Sequence, residues 1–581
     1  MLGMAPCVLH EDDAVLVVHK PAGWPMHAPS PWTGEGLLEW LRHREPRWAS
    51  LAAADQLDKE ASGLLVFSKS PVANRILTEQ FARRTVRKRY VLVTDLPVRS
   101  DLLVAESYLV CQGNKYVSQS HAPATQRART EFRVLTRQPN CTLVEAVPST
   151  GHTHQVRVHA ADLGFPILGD TLYGGTAAPR LFLRADALSF QHPTTGQEVN
   201  FQALDDFDLD PRLQLRWSVV DLQGTTAFRL IHGASDGWPG WYVDRLGDWL
   251  LSQSEAPLQP DQLQWLQQWL KQPATKSAAA GPQLTVASAI VGPVQGVYHK
   301  PLRRDLQLTT PQEACPQLIL GQPAPERFVV LENGLQFELS FREGYSVGLF
   351  LDQRDNRRRL LTRYIAAGFP LLDSFQPSGS STPAGPGQAS SRPWQAQGNP
   401  TQRPCPQSKW TLLNTFAYTC GFSVCAAKAG ARVTSIDLSR KYLQWGRRNF
   451  ELNGLDPGQH QFLQGDVLDW LRRLARKGQV FDVVIVDPPT FSRSKAHGVF
   501  RAEKDYGRLV EAALQVLKPQ GVLLAATNAA AIQPPAFVAM VKAAARAAGR
   551  RITALHYAPQ PPDFPISRAE PAHLKTVWLR V

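Results

Sequence analysis

From Trp410 onward, short apolar runs alternate with longer segments whose apolar residues recur at helical spacing. The series predicts a strand at Leu412-Leu413-Asn414, a helix over Gly421 to Ala429, a strand over Val433 to Asp437 and a helix over Lys441 to Leu452. It continues with a strand over Phe481 to Asp487, a helix over Lys504 to Leu517 and a strand over Val522 to Ala526. A helix over Ala536 to Ala548 and a closing strand over Leu574 to Val581 complete it. Phe481 to Asp487 lacks polar alternation, as expected of a parallel strand covered on both faces. Such alternation of strands and helices predicts a doubly wound α/β sheet. The N-terminal part differs, with β-like pieces at Val15 to His19, Gly63 to Phe67, Tyr90 to Val93 and Thr142 to Val147 and fewer helices, which predicts an α+β fold.

Composition divides the chain further. Ser374 to Ser408 is rich in Ser, Pro, Gly and Gln and cannot bury enough apolar surface to offset ordering, so it reads as a disordered insertion. Gln272 to Pro282 reads as a surface loop, and Asp205 to Pro211 marks a boundary; no internal repeat is visible. The expected organisation is multidomain: residues 1–210, a small β-rich segment 211–326, and the α/β domain 327–581 carrying the insertion. A length of 581 residues agrees, since one core rarely grows that large. Hydrophobic residues at 43% and charged residues at 19% describe a soluble globular protein rather than a membrane or fibrous one. The net charge of +13 favours a polyanionic partner, although solvated basic faces produce the same excess. Seven scattered cysteines form neither a disulfide framework nor close zinc-binding doublets, which suits a reducing compartment. Met1 to Asp13 does not read as a signal peptide, and no apolar stretch reaches the roughly 20 residues needed to span a bilayer. A cytoplasmic protein is expected.

Candidate chemistry lies at the carboxyl ends of the predicted parallel strands, where open α/β sheets bind ligands. Asn414 and Thr415 open a turn, and Gly421 follows where backbone meets ligand closely. Asp437 ends the second strand, where a carboxylate accepts hydrogen bonds from ribose hydroxyls. Asp466 follows the third β segment, within reach of an adenine amine, and Asp487 ends the fourth. Acids at strand ends also cap helices, and Asp466 is the plainest case. Asn414 to Phe422, Asp437, Asp466 and Asp487-Pro488-Pro489-Thr490-Phe491 resemble the successive motifs of class I methyltransferases that use S-adenosylmethionine (SAM). Upstream, Gly348-Leu349-Phe350-Leu351-Asp352-Gln353-Arg354-Asp355-Asn356-Arg357 resembles the cofactor-side segment of a bacterial family that methylates large-subunit ribosomal RNA. The resemblance covers Arg327 to Val581 apart from the insertion. It implies SAM as cofactor, with Gln353, Arg354, Asn356, Asn414, Phe416, Gly421, Asp437, Leu438, Asp466 and Asp487 as contacts, and Asp487 beside the methyl acceptor. Arg357-Arg358-Arg359 reads either as a solvated helix face or as a phosphate contact.

Methylating C5 of a pyrimidine needs a thiolate to add at C6 first. Relatives that do so carry a Cys near the Asp-Pro-Pro segment or after the next strand, whereas here no Cys follows Cys425. Cys420 and Cys425 read as small core residues of the cofactor turn and helix. A nitrogen acceptor fits better, because an oriented ring or amine nitrogen attacks the sulfonium methyl directly. The Asp-Pro-Pro-Thr-Phe form resembles the guanine-N7 branch of the family, which implies a guanine of rRNA. Arg229 to Gly240, through Asp244-Arg245, also resembles that family, where a small β-rich domain precedes the catalytic sheet and grips RNA; a plain spacer is the other reading.

Four N-terminal segments carry a second resemblance. They are Val18 to His27, Leu57-Asp58-Lys59-Glu60-Ala61-Ser62-Gly63 running on to Phe67, Lys88-Arg89-Tyr90, and Thr150 to His159, followed by Gly169-Asp170 and Tyr173-Gly174. Together they resemble Rlu-type pseudouridine synthases over about Val8 to Ala203, without the small S4-type RNA-binding domain usual in front. The resemblance implies that Asp58 acts near C1′ and C2′ of a uridine, with no cofactor or metal. It implies that Tyr90 stacks on the flipped base and that Arg157 holds Asp58 ionised. This chain departs from the family at Asp55-Gln56, where His-Arg is usual, at Ala61 in place of Thr, and at His152 in place of an Arg. Arg83-Arg84 and Arg87-Lys88-Arg89 read as phosphate contacts or as a solvated face. The pair of resemblances implies a bifunctional RNA-modifying enzyme, most directly on rRNA. Two other readings stand beside it: a methyltransferase whose N-terminal part only binds RNA, and a non-catalytic ribosome-assembly factor.

Overall fold

The computed structural model describes residues 3–204, 207–271, 294–302, 315–343, 346–372, 410–494 and 498–581. The expected insertion at Ser374 to Ser408 and the loop at Gln272 to Pro282 lie outside them. The chain divides into two compact units, Met1–His43 with Arg47–Asp355 and Pro559–His573, and Arg44–Pro46 with Asn356–Ala558 and Leu574–Val581.

In the first unit, an 11-stranded mixed sheet holds the N-terminal part. At its centre Ser62–Ser68, Leu183–Gln191, Arg87–Thr94 and Thr142–Pro148 lie side by side. Their apolar side chains are buried on both faces, Leu65 and Phe67 toward one and Leu64 and Val66 toward the other. Ser62–Ser68 meets Leu183–Gln191 in parallel over Arg184↔Ser62 and Ala185↔Gly63 only. The close approach needs a glycine: Gly63 has φ +117, and a Cβ there would stand 2.3 Å from the Ala185 carbonyl oxygen. Ala185 in turn faces Tyr90 on the next strand, so this contact sets the Asp58 loop beside the Tyr90 strand. Gly63→Ala is therefore expected to destabilise the unit by roughly 1–3 kcal/mol through its backbone conformation alone, with the clash in addition. Urea unfolding followed in the first unit checks it, and an unchanged midpoint would contradict the close approach.

The β-rich segment is a five-stranded sheet. Its buried Phe228, Leu230, Trp241 and Val243 join the same core as Leu65 and Phe67. Pro559–His573 belongs to this unit too and is held by buried ion pairs. Asp563 accepts two hydrogen bonds from Arg354, at 2.8 and 2.6 Å, and one from the Arg229 amide, while its carbonyl accepts from Arg216. Glu570 accepts from the Ala234 amide and the Tyr242 hydroxyl.

The second unit contains the α/β sheet. Its strands are β1 (Thr411–Thr415), β2 (Arg432–Asp437), β3 (Gln461–Gln464), β4 (Phe481–Val486), β5 (Leu517–Thr527), β6 (Ala554–Ala558) and β7 (Lys575–Arg580). They lie in the order β3-β2-β1-β4-β5-β7-β6. β1 to β5 are parallel, and β7 runs antiparallel between β5 and β6. Val483 to Val486 are fully buried, as the apolar run predicts. Strand order reverses between β1 and β4, which opens a crevice at their carboxyl ends. The sequence reading omits β6 and the hairpin of Phe491–Ser494 with Gly498–Arg501.

Candidate active sites

The N-terminal site is built around an arginine held from two sides. Arg157 lies on the helix Gln155–Asp162 and is almost wholly buried. That helix is fastened at its start: the Gln155 amide donates to the Arg129 carbonyl and the Thr130 hydroxyl, and Thr150 donates to Gln155. Arg157 donates through Nε and Nη2 to the two oxygens of buried Asp170, each at 2.8 Å. This two-point contact fixes the guanidinium plane and aims Nη1 at Asp58 Oδ2, 3.2 Å away. The Tyr173 ring lies against the same guanidinium, 5.2 Å from ring centroid to Cζ. Burial opposes the Arg157 charge, but its bonds to Asp170 and the charges of Asp170 and Asp58 outweigh burial and raise its pKa.

Asp58 stands in the loop before Ser62–Ser68, partly open to solvent. His154 Nε2 lies 3.9 Å from its Oδ1. Burial lowers the His154 pKa despite the nearby Asp58 charge, so the imidazole is neutral at pH 7. The ring is held by Tyr173, whose hydroxyl is 2.8 Å from Nδ1 and accepts from the Tyr116 amide. Tyr90 sits half-buried on the facing strand, its hydroxyl raised above the ordinary tyrosine value by burial and the charges of Asp55 and Asp58. Asp58, Tyr90 and Arg157 thus converge as the sequence reading expects. Asp170, Tyr173 and His154 complete the site; the reading quotes their motifs without giving them roles. The basic group at Arg87-Lys88-Arg89 needs correction. Lys88 pairs with Asp55 and is largely buried, whereas Arg89, bonded to Asp186 and Gln202, keeps part of its side chain in solvent. Arg83, Arg84 and Arg87 stay exposed.

At the other site, β1 leads into a tight loop before the helix Gly421–Lys428. Phe416, Tyr418 and Cys420 have φ of 54, 48 and 64. Alternate left-handed residues other than glycine are rare and store about 1–3 kcal/mol each, a mark of functional loops. Gly421 itself is not left-handed; it begins the helix, whose first N–H groups lack intrahelical partners. Asp437 ends β2 and holds the loop: its Oδ2 accepts from the Tyr418 amide and its Oδ1 from the Ser439 amide, both at 2.8 Å. Burial raises its pKa against those two bonds. Leu438, next along, is 44% exposed at the crevice end of the sheet. Asp487 follows β4. The buried Tyr506 hydroxyl bridges the ends of β4 and β5, 3.1 Å from the Val486 carbonyl and 2.8 Å from that of Ala526. Burial first, and then the Asp487 charge, hold this hydroxyl protonated.

Residues 14–162 match the RNA pseudouridylate synthase family, and residues 406–580 match the S-adenosylmethionine-dependent methyltransferase family. A ribosomal RNA large subunit methyltransferase of Deinococcus radiodurans is 30% identical over 402 residues, covering 69% of this chain and 83% of the relative. The chain belongs to the ribosomal RNA large subunit methyltransferase family. A second member, ribosomal RNA large subunit methyltransferase I of Aeromonas salmonicida, is 31% identical over 361 residues, 61% of this chain and 74% of the relative. Ribosomal large subunit pseudouridine synthase C of Yersinia pestis is 35% identical over 212 residues, 34% of this chain and 66% of that protein. This large subunit methyltransferase therefore carries a pseudouridine synthase domain ahead of its SAM-dependent one.

Within the methyltransferase, several expected cofactor contacts take structural positions. Arg354 is taken up by Asp563. Asn356 donates to Thr576 and accepts from Trp578, which ties its helix to β7. Asn414 donates to Ser423, which bonds in turn to Ser435 beneath the loop. Asp466 caps the helix Val467–Arg476 through the Leu468 and Asp469 amides. Gln353 ends a 3-10 turn and is buried. Both readings of Arg357-Arg358-Arg359 are overturned, because all three are buried. Arg357 lies against Phe422, Arg358 pairs with Glu45, and Arg359 donates to the Ile365 carbonyl. No sequence signal marks the left-handed Phe416, Tyr418 and Cys420, since glycine is the usual sign of that conformation.

Proposed function

We propose that this chain is a bifunctional RNA-modifying enzyme, isomerising uridine to pseudouridine in its N-terminal domain and methylating a guanine nitrogen of rRNA in its C-terminal domain. The observation that carries the first activity is Arg157, fixed by Asp170 and aimed at Asp58. A carboxylate held this way is what the isomerisation needs beside C1′ and C2′ while the base leaves, turns and rejoins through C5. Tyr90 supplies the ring on which the flipped uracil rests.

In the methyltransferase domain, the loop of Phe416 to Cys420, the Asp437 carboxylate and exposed Leu438 fit SAM. Asp437 would take the ribose hydroxyls, Leu438 the adenine face, and Phe416 with Gly421 the amino-acid end. Asn356 and Asn414 act by supporting that surface, and Asp466 is assigned to the adenine amine. When bound, SAM supplies an electrophilic methyl group. Asp487 orients the acceptor nitrogen, and Tyr506 keeps the ends of β4 and β5 together beneath it. Nitrogen rather than carbon is favoured by the cysteines of this unit. Among the described residues Cys420 and Cys425 are fully buried, and burial pushes the Cys420 thiol up to about 12, so no thiolate stands ready to add to a pyrimidine. No helix among the described residues is long and apolar enough to cross a membrane; we place the enzyme in the cytoplasm with its rRNA.

The test is to replace Asp58 and Asp487 separately by alanine and to analyse the rRNA nucleosides of a deletion strain by mass spectrometry. Asp487→Ala is expected to lower methyl transfer at least about 100-fold through lost orientation while pseudouridine is retained. If every methyl mark survives, the methyl-acceptor role fails. If every pseudouridine survives Asp58→Ala, the N-terminal domain only binds RNA, a reading to which Gln56, exposed in place of the family arginine, lends some weight.

A further inference from the structure

Asp55 stands where the resembling synthases carry a histidine, three residues ahead of Asp58 in the same loop. A second carboxylate so close to a catalytic one ordinarily disturbs it by like-charge repulsion. Here it is neutralised. The Lys88 ammonium donates to Asp55 Oδ2, and both side chains are mostly buried. Lys88 and Tyr90 are two apart on the strand Arg87–Thr94 and so share one face. The ammonium also lies over the Tyr90 ring, 5.8 Å from its centroid. The charged and titratable groups facing Lys88 are Asp55 from the loop and Tyr90 from its own strand, and Asp58 faces Tyr90 from the same loop.

We propose that Asp55 is a positioning residue for uridine isomerisation, acting through the Lys88 ammonium to fix the Tyr90 ring that carries the flipped base. This rests on the reading that the N-terminal domain isomerises uridine. The buried ammonium needs a carboxylate partner to stay charged. Once charged, it attracts the face of the Tyr90 ring and limits its tilt. Tyr90 is then presented to the base at one tilt, and the base to Asp58 at one distance. Chain departure and compensation thus occur together: the histidine is lost, and a carboxylate–ammonium pair takes over its corner of the pocket.

The sign of the pH effect follows. Burial works to lower the Lys88 pKa, but Asp55 and Tyr90 outweigh it and raise the value above that of an ordinary lysine. In the native enzyme the ammonium therefore persists across the range from about pH 6 to about pH 9. In Asp55→Asn the burial effect is left with less opposition, the pKa falls, and the charge is lost as pH rises through the new value.

The experiment measures pseudouridine formation by the full chain on rRNA against pH, with methyl transfer by the same chain as the control for folding. For Asp55→Asn, kcat is expected to fall about tenfold with KM for RNA nearly unchanged, because positioning and not binding is lost. An alkaline limb absent from the native profile is expected, with methyl transfer unaltered. Asp55→Glu keeps the carboxylate and is expected to keep the flat profile; it decides the matter if the amide variant does not fold, and an alkaline limb in it would overturn the role. Native kcat and a native profile in a folded Asp55→Asn would overturn it equally. Absence of pseudouridine from the native enzyme itself overturns the parent reading, and the role of Asp55 with it.

Discussion

Asp58→Ala is expected to abolish pseudouridine formation, by at least about 1,000-fold or ~4 kcal/mol of barrier, while methyl transfer by the same chain is unchanged. The first half follows from the chemistry, since no other carboxylate in the site is aimed as Asp58 is. Asp55 is tied to Lys88 and Asp170 to Arg157. The second half follows from the way Arg157 is held. Its two strong bonds go to Asp170, and the third, at 3.2 Å, to Asp58. Removing Asp58 leaves the guanidinium with its main partner, so stability is expected to change by less than about 1 kcal/mol. Nucleoside mass spectrometry and urea unfolding read the two halves separately. Loss of methyl transfer alongside pseudouridine would show that Asp58 supports the fold rather than the reaction.

Asp170→Ala is expected to do the reverse, damaging stability and activity together. Asp170 is buried, and its carboxylate is the two-point partner of an arginine that is itself buried. Deleting one member of such a pair leaves a charge in a poor solvent, at a cost of about 3–5 kcal/mol. The guanidinium plane also loses the contact that aims Nη1, so pseudouridine formation should fall nearly as far as in Asp58→Ala although Asp170 meets no substrate. Unfolding midpoints together with rates measured below the transition check both. A variant of native stability would mean that water or the Tyr173 ring compensates the Arg157 charge.

The methyltransferase half was legible in the sequence for a physical reason. Strands such as Phe481–Val486, covered on both faces, read as unbroken apolar runs, and helices such as Arg440–Leu452, covered on one, read at helical spacing. The N-terminal sheet was less legible. Leu102–Gln112 and Arg127–Arg137 pair with each other and expose alternate positions, Glu106 on the first and Arg127, Glu131 and Arg133 on the second, so neither stands out as an unbroken apolar run. Asp58, Tyr90 and Arg157 could be named because each sits within a run of matching neighbours. Asp170 could not be given a role, because its value lies in a contact across 13 positions of sequence. Arg354 shows the opposite difficulty. It falls in a motif that implies cofactor, yet its partner Asp563 is 209 positions away, where no local pattern points to it.

Asp563 has a bearing on how the protein comes into being. The first unit contains Pro559–His573, so buried Arg354 lacks its two-point partner until that late segment is made, while Arg216 and Arg229 already have Asp236 and Asp244. At roughly 5–20 residues per second, Asp563 follows Arg354, 209 positions earlier, by about 10 to 40 seconds. Until then Ala234, Tyr242 and Arg354 lack the contacts to Glu570 and Asp563 that they make in the finished fold. A gene split after Asp355 would deliver a first product in which buried Arg354 has lost the Asp563 carboxylate. The first unit is thus completed by residues that are made after most of the second.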